Sequence, residues 1–243
     1  MNRPLCFLLF IAAAVAVTAQ GNFESDSFPT GGGDLRITFI GHASLLFQYG
    51  GRNIYIDPDG RRADFSLLPK ADLILVTHQH GDHFDPQAIA ALRQPSTQVY
   101  VTSACLPSPQ GARILKNGDH AQFAGLAIDA VPAYNIVHKR PDGTPFHPHG
   151  EGNGYVLAFP GLRVYVAGDT ENIPELRDLK DIAVAFLPMN LPYTMTPEMA
   201  ALAAKAIKPR VLYPYHFSDT DPRRLVSLLK EEAGMDVRIR KLN

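Results

Sequence analysis

A chain of 243 residues, 46% hydrophobic and 19% charged, has the composition of a globular protein with a sizeable core, in one domain or two small ones. Its formal net charge of −1, with no long Lys/Arg run, excludes a basic field that would draw it to nucleic acid or an anionic membrane. Its two cysteines, Cys6 and Cys105, supply no thiolate pair for a metal, so any metal has to be held by histidine and carboxylate.

In chain order, Arg3 supplies a positive start, residues 5–17 form an almost unbroken apolar run, and Val17-Thr18-Ala19 offers small residues at a cleavage position. This is the layout of a secretory signal peptide over residues 1–19, and the run is shorter than the roughly 20 residues a spanning helix needs. The expectation is an exported protein, periplasmic or secreted, with no stable membrane insertion once the signal is removed. Cys6 leaves with the signal, so Cys105 has no disulfide partner and reads as a small buried hydrophobe. Residues 20–33, with Gly31-Gly32-Gly33, read as a flexible leader before a single domain at 34–243.

Short β-rich runs at 35–40, 44–49 and 53–57 are punctuated by Gly41 and Gly50-Gly51, which predicts hairpins. The run Leu73-Ile74-Leu75-Val76 predicts a strand buried on both faces. Asp85 as N-cap and Pro86 at the first position open a helix to about residue 93, and a strand follows at 98–102. Further strands are predicted at 127–133, 155–159, 163–167, 182–187 and 210–215. Thr196-Pro197 opens a helix to about residue 207. Asp221-Pro222 opens another that Gly234 ends, before a last strand at 237–241. Both halves run strands and then helices, a pattern that favours an α/β fold of two sheets face to face with helices outside. The polar stretch 136–154, rich in Pro, Gly and His, is long enough for a functional loop.

Thr77-His78-Gln79-His80-Gly81-Asp82-His83 carries the chemistry. It follows a buried strand and precedes a helix, and Gly81 allows a tight turn. Three imidazoles and a carboxylate within six residues suit zinc and its neighbours. There is no Gly-x-Ser-x-Gly elbow and no phosphate-binding Gly-Lys loop.

The run His-x-His-x-Asp-His resembles the signature of the metallo-β-lactamase superfamily. Gly41-His42-Ala43-Ser44, Ile56-Asp57-Pro58, Gly168-Asp169-Thr170 and Tyr215-His216-Phe217 match further fragments in the expected order. The likeness extends from about residue 35 to 241 and is nearest to the branch with ascorbate-phosphate lactonase-like and N-acylphosphatidylethanolamine phospholipase D-like hydrolases. It implies a four-layer αββα sandwich and a binuclear site with two divalent metal ions, zinc first, with manganese or iron as alternatives. His78 and His80 would bind metal one, Asp82, His83 and His216 metal two, and Asp169 both.

The superfamily usually brings a third histidine to metal one, at a place held here by Asn135. Asn135 binds weakly there, or a histidine of the following loop replaces it (His149 or His147 ahead of His138), or the ligand is missing. The expectation is Asn135 or His149. Asp57 is expected to orient a ligand histidine or brace the motif loop, and His42 to orient a ligand or contact substrate. Asp82 and His42 are the catalytic candidates. Tyr193-Thr194-Met195 is expected at the pocket lip or in the core, and His120 at the surface.

The resemblance implies hydrolysis of an ester, lactone, amide or phosphodiester of a small molecule by metal-activated hydroxide. The alternatives are a phosphodiesterase or nuclease on the same site, which the export signal and neutral charge disfavour, and a non-catalytic, metal-stabilised binding protein, which only Asn135 favours. The sequence leaves the substrate and the oligomeric state open.

Overall fold

In the computed structural model, which describes residues 23–242, the chain forms two seven-stranded sheets. The first holds β1 (Ser25–Thr30), β2 (Gly33–Gly41), β3 (Ser44–Tyr49), β4 (Arg52–Ile56), β5 (Leu73–Leu75), β6 (Gln98–Val101) and β7 (Arg113–Ile114), in that spatial order. The second holds β8 (His120–Phe123), β9 (Leu126–Ala133), β10 (Gly152–Phe159), β11 (Leu162–Val166), β12 (Ile182–Pro188), β13 (Val211–Tyr215) and β14 (Asp236–Val237), also in sequence order. In each sheet the first four strands pair antiparallel and the last three join on in parallel. The duplication invisible as a sequence repeat is thus a topological one.

Strand alternation explains the layering. Leu45, Phe47, Ile54, Ile56, Leu73 and Leu75 point into the core between the sheets, which the second sheet meets with Ile128, Leu157, Val164 and Phe186. Their neighbours Leu46, Tyr55, Ile74 and Val76 face outward under helix α1 (Pro86–Leu92), against Ala88, Ile89 and Leu92. Helices α2 (Pro197–Ile207) and α3 (Arg223–Leu229) add Ala200, Ala204 and Leu225 to the core of the second sheet. The result is an α/β sandwich of two mixed sheets flanked by short helices, as the metallo-β-lactamase fold requires. Asp85 caps α1 by accepting from the Gln87 and Ala88 N–H groups, as expected.

The expected leader at 20–33 is corrected within the described residues. Residues 25–30 are β1, paired from Ser25↔Thr38 to Thr30↔Gly33, and the glycine run is its turn into β2. Gly33 takes φ 114°, a conformation closed to most L side chains. The strand is held because Phe28 is buried and Asp26 accepts from Tyr213 and from Arg240 Nη2 (2.7 Å). The predicted signal segment, 1–19, lies outside the described residues. At the other end, the predicted strand at 237–241 shrinks to β14, and α3 stops at Leu229.

Candidate metal centre

Most chemistry-bearing segments sit just past the C-terminal end of a strand, with His147 in the loop between β9 and β10 as the exception. His42 follows β2, Asp57 follows β4, the His78–His83 run follows β5, Asn135 follows β9, Asp169 follows β11 and His216 follows β13. The strands aim these ends at one edge of the sandwich. The chain turns sharply there: His42, Asp57, Gly168 and His216 take φ of 55°, 45°, 64° and 46°. Left-handed non-glycine residues cost about 1–3 kcal/mol each and gather at functional sites. At Gly168 a Cβ would stand 2.7 Å from the Asn153 carbonyl oxygen and 3.0 Å from Thr77 Cβ, so only glycine lets Asp169 come this close to the motif loop.

The side chains form one continuous cluster. His78 Nε2 and His147 Nε2 each stand 3.1 Å from His80 Nδ1. Beside them, Asp169 Oδ2 lies 3.2 Å from His147 Nε2, 3.8 Å from His78 Nε2 and 3.5 Å from His216 Nε2, while its Oδ1 lies 3.4 Å from His83 Nε2. Asp82 Oδ2 is 3.2 Å from His42 Nε2, 3.3 Å from His216 Nε2 and 3.8 Å from His83 Nε2. Among the described residues three groupings have ligand atoms close enough to share an ion: His78 with His80 and His147, His42 with Asp82 and His216, and His78 with His83 and Asp169. The set expected for metal two is therefore shared between the last two groupings, and His42 stands as close as a ligand.

The β-lactamase superfamily domain family matches residues 36–216. The chain belongs to this family. It is 32% identical to a metal-dependent hydrolase of Methanopyrus kandleri over 84% of this chain and 95% of that one. Its structure resembles the crystal structure of a protein assigned as a metal-dependent hydrolase from Parabacteroides distasonis, with a TM-score of 0.86 and 48% identity over 91% of this chain and 100% of that one. A metallo hydrolase from Ignicoccus hospitalis is also similar, with a TM-score of 0.70 and 25% identity over 86% of this chain and 96% of that one. With these clusters in place, the chain is a metallo-hydrolase of the superfamily.

The donor set of this superfamily member fits divalent cations. Two nitrogens on a tetrahedral zinc at about 2.0–2.1 Å stand about 3.3–3.4 Å apart, near the 3.1 Å seen between His80 and its neighbours. Hydrogen bonding accounts for at most one of those two contacts, because His80 Nδ1 has a single proton to give and the outer nitrogens of the other two rings already hold theirs. His147 Nδ1 donates to Asn135 Oδ1 at 2.6 Å. Thr77 Oγ1 donates to Asp57 at 2.6 Å and so accepts from His78 Nδ1 at 3.1 Å. His83 Nδ1 donates to Asp57 Oδ2 at 2.7 Å. His147 and His78 are thereby left with a bare Nε2 facing the cluster, whereas His83 Nε2 carries a proton that a cation would displace. His83 Nε2, Asp169 Oδ1 and His216 Nε2 are buried without a hydrogen-bond partner, a costly state that a cation relieves.

Charge states agree. Burial brings His80 down to about 4 and holds His78 well below its ordinary range, so both are neutral. Burial opposes charge on His83, yet the Asp169 and Asp57 carboxylates overcome it and push that ring up to about 10. Burial works against ionising Asp169 and Asp82, but the surrounding histidines hold both well below the usual carboxylate range. The cluster is an anionic hole short of positive charge.

The expectation of Asn135 or His149 beside His78 and His80 is corrected: the ring that stands there is His147. Asn135 lies one bond further out, its Oδ1 also accepting from the His147 backbone N–H at 2.9 Å. His149 is exposed and packs edge-on against Tyr134, and His138 donates to Glu171 at 2.6 Å. Asp57 fills both expected roles, orienting His83 and accepting from the Thr77 N–H at 2.7 Å to brace the motif loop. Tyr193 is at the lip while Thr194 and Met195 are buried, and His120 is exposed. Glu171 escaped notice in the sequence. Fully buried, it accepts from the N–H groups of Ile136, Val137 and His138 and from Asn135 Nδ2. Its only signal was its place two residues after Asp169.

Proposed function

We propose that this metal-dependent hydrolase holds two divalent cations, zinc first, one on His78, His80 and His147 and one on Asp82, His83 and His216, with Asp169 between them, and cleaves an ester, lactone, amide or phosphodiester of a small molecule. One observation carries the reading: His147 joins His78 and His80 through a nitrogen already freed of its proton by Asn135. It also removes the ground for a metal-stabilised binding protein, which rested on a missing ligand.

Bound there, divalent cations supply a water acidic enough to ionise near neutral pH and polarise the bond to be cut. The residues do the rest. Asp169, with an oxygen toward each set, fixes the distance between them. Asp82, 31% exposed to the pocket and anchored by His42 Nε2, would orient the attacking water by accepting its hydrogen bond. His42, backed by the contact of its carbonyl with the His216 N–H (3.1 Å), positions Asp82. The pocket above has a volume of about 410 Å³, suited to a small molecule. Support for the ascorbate-phosphate lactonase-like and phospholipase D-like branch comes from the Gly41-His42-Ala43-Ser44 and Ile56-Asp57-Pro58 fragments, whose His42, Ser44 and Asp57 all brace this site. No helix among the described residues is long and apolar enough to cross a membrane. Export to the periplasm or medium remains part of the proposal, to be checked by fractionating cells that express the full chain.

Metal content separates the alternatives at metal one. His147→Ala is expected to lose about one equivalent of zinc and nearly all turnover on an ester and lactone panel, while His149→Ala keeps both. Full zinc content in His147→Ala, measured by inductively coupled plasma mass spectrometry, would falsify the assignment.

A further inference from the structure

The loop that carries His147 also carries Arg140. Both line the pocket whose floor is His80, Asp82, Asp169 and His216. Arg140 sits on a small hairpin, its N–H bonded to the Thr144 carbonyl at 2.7 Å and its own carbonyl to the Gly143 N–H at 2.9 Å. The hairpin's base is clamped by Glu171 and by the Asn135–His147 pair. The guanidinium centre lies 5.2 Å above the Phe146 ring, and Nη2 reaches the Phe146 carbonyl at 3.4 Å. Among the described residues no carboxylate pairs with it. Nearby Asp142 spends Oδ1 on the Thr144 N–H (2.9 Å) and hydroxyl (2.6 Å). Arg61, contributed by the other sheet's half, also lines the pocket but is forked onto Asp59 at 2.8 and 3.0 Å. A guanidinium placed over an aromatic ring at the mouth of a metal pocket, with one nitrogen turned to a backbone carbonyl and no carboxylate on its remaining donors, is suited to receive a planar or tetrahedral oxyanion.

We propose that Arg140 is the specificity-determining residue of this site and that the substrate is a small organic anion, whose carboxylate or phosphoryl group docks on Arg140 while the scissile bond lies over the cluster. The proposal rests on the hydrolase reading above for the word substrate. The anion site itself is tested without turnover.

The zinc-loaded full chain is titrated calorimetrically with succinate, phenylphosphonate and neutral succinamide, as wild type and as Arg140→Ala, Arg140→Lys and the remote surface control Arg113→Ala. Arg140→Ala is expected to weaken at least one anion on the order of 10- to 100-fold and leave succinamide unchanged, as removal of a charge-assisted hydrogen bond should. Arg140→Lys recovers part of the loss, keeping the charge without the fork, and Arg113→Ala behaves as wild type. The anion that loses more identifies the carboxylate or the phosphoryl group. Turnover is read on matched pairs, 4-nitrophenyl butyrate against 4-nitrophenyl hemisuccinate and δ-gluconolactone against its 6-phosphate. Arg140→Ala should raise KM for the anionic member of a pair at nearly constant kcat. If no pair is hydrolysed by wild type, the ester and lactone reading fails and the titration alone decides the anion site. Anion affinities in Arg140→Ala within twofold of wild type, or a loss shared equally by succinamide, overturn the proposal.

Discussion

Asn135 carries an amide where the superfamily resemblance implies an imidazole, and its orientation is dictated by its surroundings. Nδ2 faces two acceptors, Glu171 Oε1 at 3.1 Å and the Tyr193 carbonyl at 2.9 Å, so Oδ1 must face His147. This fixes the His147 proton on Nδ1 and the lone pair on Nε2. Asn135→Ala is therefore expected to weaken zinc binding at one site by about 10- to 100-fold, the usual cost of losing a partner that orients a ligand. Asn135→Asp keeps the acceptor but sets a second carboxylate against Glu171, so its zinc affinity should fall between those of Asn135→Ala and wild type. A competition titration with a chromophoric chelator gives both values. The ligand run itself was legible because six consecutive residues place four donors. The choice between His147 and His149 was not, because a loop has no period to select one ring over the other. The backbone pair from the Asn135 N–H to the His147 carbonyl, 2.8 Å, settles it.

Among the elements, β1 shows how a polar, glycine-bearing segment becomes structure. Read locally, Ser25–Thr30 and the glycines after it lack a hydrophobic run. The partners that hold it are distant: Tyr213 in β13 and Arg240 near the chain end, both reaching Asp26. Burial would raise the Asp26 pKa, but hydrogen bonds from Tyr213 and Arg240 bring it below its ordinary 3.8. A carboxylate depressed on folding contributes stability that is fully present above its unfolded value and is lost as pH falls through the folded one. Asp26→Asn should therefore lower Tm at pH 6, and its deficit should narrow as pH falls below 3.8. Thermal melts by circular dichroism at pH 6 and pH 2.5 test the sign; a deficit that widens in acid contradicts it. The central strands were legible for the opposite reason, since Leu73-Ile74-Leu75-Val76 is apolar on both faces. The two-residue β7 and β14 and the four-residue β8 leave too short a pattern to read.

At the scale of the whole molecule, the two sheets converge on one anionic cluster, and that cluster links them. The proposed ligands come from the first sheet's loops (His78, His80, Asp82, His83) and from the second's (His147, Asp169, His216). Cations bound across this seam favour the folded state by mass action, about 4 kcal/mol at a thousandfold excess over Kd. A chain of this size shifts by roughly 2–4 °C per kcal/mol. Stripping the protein with a chelator should thus lower Tm on the order of 10 °C, and zinc should restore it. A melt that ignores the chelator would count against a cation bridging the halves. The layering of two sheets with helices outside followed from the strand-then-helix order of both halves, whereas the convergence of the seven proposed ligands became visible only in three dimensions.

The hairpin bearing Arg140 and the ring of His147 belong to one continuous loop, with consequences for how such a protein diversifies. Where every ligand rides on a strand end, rim loops can be exchanged freely and the reaction centre stays intact. Here an insertion or deletion in 135–138 or 146–147, outside the hairpin, would shift a proposed ligand as well as the ligand-recognition surface, so selectivity and metal retention are inherited together. Variation is tolerated only inside the hairpin, residues 139–145, where Lys139 and Pro145 pair and close the excursion. A library that randomises this window while leaving 135–138 and 146–149 untouched would explore new substrates with the metal centre unchanged. Grafts with wider boundaries would yield mostly metal-poor chains.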